Sequence, residues 1–295
     1  MIDLSVEFGS LKLKNPILLA SGVWDLPYTK IIDFTRVGGV ICKGVSLNPK
    51  EGNPSPRITE TSCGLINSIG LENKGLLHFE SEILPEMKKL GTHVLVNIFG
   101  ESIEEFKKIA AKINSVAGFE VNISCPNVNR GGESFGRDPK MVFSITKAVC
   151  GETDLPVIVK LTPSVDNIEE TAQAAKEGGA MAVTASNTFP GLVIDIEKRA
   201  PLFKRITGGL SGPAIKPLAL YNVYKIKNAV DIPIIGSGGV CNFKDVIEYL
   251  IAGASAVQLG SIIFNNPLAP IEILDNLKHY VEEKGYKNLK DVNKK

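Results

Sequence analysis

The sequence predicts an α/β fold, a (β/α)8 TIM barrel with an N-terminal hairpin and insertions after strands 2 and 6. Three observations lead there. Eight short runs rich in apolar and β-branched residues alternate with longer amphipathic stretches, the pattern of repeated strand–helix units. The runs are almost continuously hydrophobic, as strands covered on both faces of a parallel sheet must be. Polar residues recur at their C-terminal ends, where such barrels assemble a site.

The strand runs are residues 16–20, 39–45, 93–99, 119–124, 156–161, 180–185, 233–236 and 256–260. Between them, residues 103–116 place Ile103, Phe106, Ile109, Ala110 and Ile113 at helical spacing and turn Glu104, Glu105, Lys107 and Lys108 outward. Helices are also predicted over 168–177, 214–229, 243–252 and 271–284. Asp166 and Asn242 are the expected N-caps, and Gly178 and Gly253 the expected stops. An open Rossmann sheet is disfavoured, because Ala20-Ser21-Gly22-Val23 does not supply its glycine fingerprint. Residues 4–13 read as a hairpin plugging the barrel floor, and 46–71 and 189–209 as long insertions. Insertions that follow strands stand on the catalytic face, as lids or substrate walls.

Composition narrows the function. The chain has 295 residues, 44% of them hydrophobic, and a net charge of +1. One large barrel domain over residues 1–295 accounts for that length. So small a charge offers no field for nucleic acid or an anionic membrane. No run approaches the roughly 18 apolar residues that span a bilayer. The opening Met1-Ile2-Asp3-Leu4 is unlike a signal peptide, so a cytoplasmic protein is expected. Cys42, Cys63, Cys125, Cys150 and Cys241 form no metal-ligand spacing. His78, His93 and His279 are isolated and read as surface or packing residues.

The chemistry concentrates at strand ends. Ser21, Lys43, Asn97, Asn122 with Cys125, Lys160, Asn187 with Thr188, Gly238 with Gly239, and Gly260 with Ser261 all fall there. In a parallel barrel they converge on one mouth. Glycines after the seventh and eighth strands let backbone amides approach a phosphate, with the following helix adding its positive end. Lys160, on an otherwise apolar strand, must snorkel or find an acceptor. It and Lys43 suit either charge stabilisation or Schiff-base chemistry, and the residue type alone leaves both open. Cys125, between Asn122 and Asn127, is either a packed thiol or a proton acceptor beside two ligand-orienting amides.

Taken together these stretches closely resemble the dihydroorotate dehydrogenases, along nearly the whole chain. The resemblance rests on residues 13–17 (LKNPI), 52–57 (GNPSPR), 67–71 (NSIGL), 122–127 (NISCPN), 208–217 (GGLSGPAIKP) and 234–239 (IIGSGG). It is strongest for the cytosolic class, because the membrane-bound branch has serine at Cys125 and an added membrane-associating helix. Residues 127–136 (NVNRGGESFG) look like the NAD-linked subtype.

The resemblance implies oxidation of (S)-dihydroorotate to orotate in pyrimidine biosynthesis, with one FMN per chain. It implies Cys125 as the base at C5 while C6 gives hydride to the flavin. It implies Lys43, Asn67, Ser68, Ile69, Gly70, Leu71, Asn122, Asn127, Asn187 and Thr188 around the pyrimidine. Ser21, Lys43, Gly44, Asn97, Asn122, Lys160, Ser186 and Gly212 would line the flavin, and Gly238, Gly239, Gly260 and Ser261 its phosphate. Lys160 would favour the anionic reduced flavin. A partner subunit with FAD and a [2Fe–2S] cluster, on a homodimeric core of a heterotetramer, would pass electrons to NAD. Ser186 and the Trp24-Asp25-Leu26-Pro27 stretch depart from the family pattern. The competing readings are a fumarate-linked homodimer, a dihydropyrimidine dehydrogenase-like flavin barrel, a flavin-free Schiff-base lyase and a silent binding subunit.

Overall fold

The structure, a computed structural model, describes residues 2–124 and 133–293. Eight parallel strands close into a barrel: β1 (Ile17–Leu19), β2 (Gly39–Ile41), β3 (His93–Ile98), β4 (Gly118–Asn122), β5 (Val157–Lys160), β6 (Ala182–Ala185), β7 (Ile234–Ser237) and β8 (Ala256–Leu259). Each strand pairs with the next in chain order, and β8 returns to β1. All eight predicted strands are present, trimmed at their ends.

Alternation along each strand divides the interior into two cores. Ile17, Leu19, Val40, Val96, Val121, Val159, Val183 and Val257 pack outward with the helices. Leu18, Ile41, Leu95, Ile158, Ala182, Ile235 and Ala256 pack inward with Phe8, Leu11 and Leu13. Those last three belong to the N-terminal hairpin, whose strands Val6–Phe8 and Leu11–Leu13 pair antiparallel. The hairpin thus closes the barrel floor with side chains that have no other apolar shelter. Two residues further along the strands, the inward positions turn polar: Lys43, Asn97, Lys160, Thr184, Ser237 and Gln258. On β4 the same face carries Glu120 and then Asn122.

The outer helices are α1 (Ile103–Lys112), α2 (Pro139–Cys150), α3 (Ile168–Glu177), α4 (Lys216–Ala229), α5 (Phe243–Ala252) and α6 (Ala269–Glu283). α1 ends four residues before the predicted boundary, and α4 begins after a 3-10 turn, Pro213–Ile215. α2 was not predicted, although Asp138 caps it by accepting from the Lys140 N–H and Pro139 opens it. Asp166 is not the cap of α3. Asn167 holds that position, and its side chain donates to Glu170 Oε1 (2.8 Å) rather than accepting an amide. Asn242 caps α5 in a full capping box, and Gly253 ends α5 in the left-handed region. No described helix is long and apolar enough to cross a membrane.

The two long insertions are one structure. Strand Thr207–Ser211 pairs with Phe189–Leu192 on one side and with Gly64–Asn67 on the other, and Ile58–Thr61 completes a four-stranded antiparallel sheet. Both insertions follow strands, so this sheet stands at the C-terminal mouth.

Phe8 is fully buried, and truncating such a ring typically costs about 3–5 kcal/mol. We expect Phe8→Ala to lower unfolding stability by that amount in urea denaturation. An unchanged midpoint would show that the hairpin does not brace the floor.

Candidate active site

A cavity of about 460 Å³ opens at the C-terminal mouth. Its floor is a hydrogen-bonded polar layer across the barrel. Glu120 Oε1 accepts from Asn97 Nδ2 (2.7 Å) and from the Lys160 ammonium (3.4 Å). Glu120 Oε2 accepts from Thr184 Oγ1 (3.0 Å) and from the Gln258 amide. Gln258 Oε1 accepts from Lys160 Nζ (3.3 Å). Five side chains from β3, β4, β5, β6 and β8 are therefore joined, all of them buried. Burying a charge demands such partners, because an unpaired ion in this interior would cost several kcal/mol.

Asn97, Asn122 and Lys160 rise from this layer to line the cavity, while Glu120, Thr184 and Gln258 stay beneath it. Sequence reasoning missed those three. Their signal was a polar residue at an inward position of an otherwise apolar strand. Above the layer, Asn122 Nδ2 donates to Asn97 Oδ1 (3.3 Å), and Asn187 Nδ2 donates to Ser124 Oγ (2.8 Å). Asn187 Oδ1 accepts from the Thr188 N–H (2.8 Å). Lys43 has no hydrogen-bond or ion-pair partner among the described residues, and it lines the same cavity.

The opposite wall is backbone. Gly238 and Gly239 follow β7, and Gly260 and Ser261 follow β8, across the closed barrel from β3 and β4. Tyr249 Oη donates to Gly238 O (2.7 Å). Asp245 accepts from the N–H groups of Cys241 (2.8 Å) and Asn242 (3.0 Å), and Lys216 Nζ reaches Asp245 at 2.7 Å. These hydrogen bonds fix the loop after β7. Gly239 has φ 67°, and a Cβ there would lie 2.8 Å from Gly212 O, so glycine is required. Part of the positive end of α5 is already taken up within the chain. Asn242 Oδ1 already accepts from Lys244 and Asp245, and Asp245 holds the two preceding amides. By contrast, nothing among the described residues accepts from the N–H groups of Gly239, Gly260 or Ser261.

The insertion sheet supplies the roof. Asn67, Ile69, Gly70 and Leu71 line the cavity from one insertion, and Gly212 from beyond the other. Arg57 Nη1 pairs with Glu72 Oε2 (2.6 Å), and Asn53 Nδ2 donates to Ser68 O (3.0 Å), bracing that segment. Ser68, of the expected set, is the one whose side chain is engaged elsewhere. Its hydroxyl is buried against Asn53 and Thr207 O (3.3 Å) and does not line the cavity.

Of the other expected residues, Ser21, Lys43, Gly44, Asn97, Asn122, Lys160, Ser186, Asn187, Thr188, Gly238, Gly239, Gly260 and Ser261 all line this one cavity. Cys125 and Asn127 lie outside the described residues. The unusual Trp24 forms part of the wall, with Nε1 donating to Ile41 O (2.9 Å) and its ring packed 5.2 Å from Phe34.

A closed parallel barrel with a polar, backbone-rimmed cavity at its C-terminal mouth belongs to the class of barrel enzymes. The family model for dihydroorotate dehydrogenase matches residues 3–281. A protein of Thermoanaerobacter pseudethanolicus named dihydroorotate dehydrogenase B (NAD(+)), catalytic subunit, is 48% identical over 99% of this chain and 97% of its own. Proteins of the same name from Caldicellulosiruptor bescii and Bacteroides fragilis are 47% and 43% identical, each over 99% of this chain and 98% of theirs. The chain belongs to the dihydroorotate dehydrogenase family.

Because a thiol is central to the chemistry that the resemblance implies, the described cysteines are informative. Burial pushes the Cys42 thiol up to about 12, and the nearby Glu120 charge acts in the same direction. Burial also raises the half-buried Cys150 and Cys241. Thiolate is the reactive form, and Cys63 is exposed at the tip of the insertion hairpin. Iodoacetamide labelling followed by peptide mass spectrometry is expected to modify Cys63 in the native protein and Cys42 only after denaturation. Prompt native labelling of Cys42 would contradict this ranking.

Proposed function

We propose that this chain oxidises (S)-dihydroorotate to orotate, as the FMN-holding barrel of an NAD-linked enzyme. The observation behind this reading is one cavity bounded by the Lys43 cation, a set of amide side chains and an opposed wall of backbone N–H groups, the cation and the N–H groups having no partner among the described residues. Family membership and the relatives' names supply the reaction and the acceptor.

The residues present fit FMN. The N–H groups of Gly239, Gly260 and Ser261, which no described residue accepts from, suit a phosphate. A Cβ at Gly260 would meet no protein atom within 4 Å, so the backbone there is open to the cavity. Ser21, Gly44, Asn97, Asn122, Lys160, Ser186 and Gly212 would hold the rest of the group, with Gly238 beside its phosphate. When bound, FMN supplies the acceptor for the hydride leaving C6 of the substrate.

The chain's own residues do the rest. Asn67, Asn122, Asn187 and Thr188 present donors and acceptors to a neutral pyrimidine edge without adding charge, and Asn127 extends that set in the sequence. Lys43 meets the substrate carboxylate. Cys125 takes the C5 proton, an assignment that rests on the residue 122–127 motif. The Asn187 Nδ2–Ser124 Oγ hydrogen bond (2.8 Å) holds the Ser124 side chain, the last described residue before Cys125 in the sequence. Lys160, which lines the cavity, would hold a positive charge beside the flavin and favour its anionic reduced form. Electrons leave through a partner subunit carrying FAD and [2Fe–2S], on a homodimeric core in the cytoplasm.

Anaerobic mixing with dihydroorotate tests this reading. We expect flavin absorbance near 450 nm to bleach, with orotate restoring it and uracil leaving it unchanged. The bleaching rate should rise with pH through the alkaline range, since a free thiol has a pKa of about 8.5. Cys125→Ala should slow it about 10²- to 10⁴-fold, the usual worth of a positioned base. A flat pH profile, or reoxidation of the bleached flavin by uracil in preference to orotate, would overturn the assignment. Copurification of an iron- and FAD-containing partner is expected. Full turnover with fumarate by the isolated chain would instead mark a fumarate-linked enzyme.

A further inference from the structure

Glu120 stands beneath the cavity and touches no part of it, yet it is the most heavily bonded side chain in the barrel interior. Four donors converge on its carboxylate: Asn97, Lys160, Thr184 and Gln258. Three of these are neutral and come from β3, β6 and β8, so the carboxylate is held in place independently of Lys160. Lys160 is held less closely. Its ammonium has acceptors only in Glu120 Oε1 (3.4 Å) and Gln258 Oε1 (3.3 Å) among the described residues. An ammonium has three donors, which leaves one for the cavity that Lys160 lines. The five hydrogen-bonded side chains of this layer carry one carboxylate and one ammonium, which pair with each other, while the Lys43 side chain lines the cavity separately.

We propose that Glu120 is a positioning residue that anchors Lys160 at the cavity floor and offsets its positive charge, thereby setting the reduction potential of the bound flavin. This rests on the reading that the cavity holds FMN. A hydride brings two electrons to the neutral oxidised flavin and leaves one net negative charge on it. The cation beneath favours that charge, and the carboxylate behind the cation opposes it. In a buried layer such terms are weakly screened. Loss of the carboxylate charge therefore makes the flavin easier to reduce. A residue serving packing alone has no such effect on the potential.

The test is equilibrium redox titration of the purified, flavin-bound chain against a reference dye, on wild type, Glu120→Gln, and the exchange variant Glu120→Gln with Gln258→Glu. The exchange keeps one carboxylate and one amide around Lys160 but moves the charge from β4 to β8. Glu120→Gln is expected to shift the oxidised–reduced equilibrium at least tenfold toward reduced flavin. Tenfold is about 30 mV for a two-electron couple. The exchange variant should return to within about threefold of wild type. Trp24 is the only tryptophan and lines the cavity, so quenching of its fluorescence on FMN addition reports occupancy separately. An unchanged or lowered potential in flavin-bound Glu120→Gln overturns the proposal. If Glu120→Gln does not fold, the exchange variant decides: a wild-type potential supports charge compensation, and a tenfold deviation or a second failure to fold overturns it. If folded wild type binds no FMN by either absorbance or quenching, the reading of the cavity itself fails, and this inference with it.

Discussion

The buried ion pair between Glu120 and Lys160 is the interaction on which the site depends. Bringing two charges into a barrel interior costs more than a simple Coulombic pair repays unless every remaining donor and acceptor is met. Here the surrounding bonds come from Asn97, Thr184 and Gln258, on three further strands. The pair therefore ties five strands together at the level where the barrel changes from a packed core to a ligand cavity. Removing one charge outright would leave the other stranded, a change that typically costs about 3–5 kcal/mol.

Position along the strand decides what each layer can do. Near the N-terminal ends the inward side chains are aliphatic, and they meet the hairpin residues Phe8, Leu11 and Leu13. One alternation later they form the polar layer, and beyond the strand ends the loops surround the cavity. Each layer rests on the one below. Asn97 and Lys160 belong to both the polar layer and the cavity lining, so the floor's hydrogen bonds also orient the groups that face a ligand. The insertion sheet covers the same mouth, and the loop after β7 is held by Asp245, Lys216 and Tyr249.

Much of this was legible in the sequence because the strongest signals are local. Apolar runs separated by amphipathic helices disclosed all eight strands, and strand-end polar residues disclosed most of the cavity lining. What escaped was long-range. Pairing of Gly209 with Asn67 unites two insertions far apart in sequence, and no local pattern announces it. Glu120 was read as part of an apolar strand, because its partners lie on β3, β5, β6 and β8. Asn242 is legible as a cap, but its reciprocal bonding with Asp245, which occupies the Lys244 and Asp245 amides at the start of α5, is not. Ser68 shares a motif with cavity residues yet turns away, a choice made by Asn53 and Thr207.

The central claim is that one polar layer supports one flavin-and-pyrimidine cavity. A crystal structure of the chain with FMN and orotate tests it most directly. The account predicts the phosphate on the N–H groups of Gly239, Gly260 and Ser261, Lys160 in contact with the flavin ring, and orotate among Asn67, Asn122 and Asn187. Flavin bound with its phosphate away from that glycine wall, or with Lys160 turned from the ring, would contradict it.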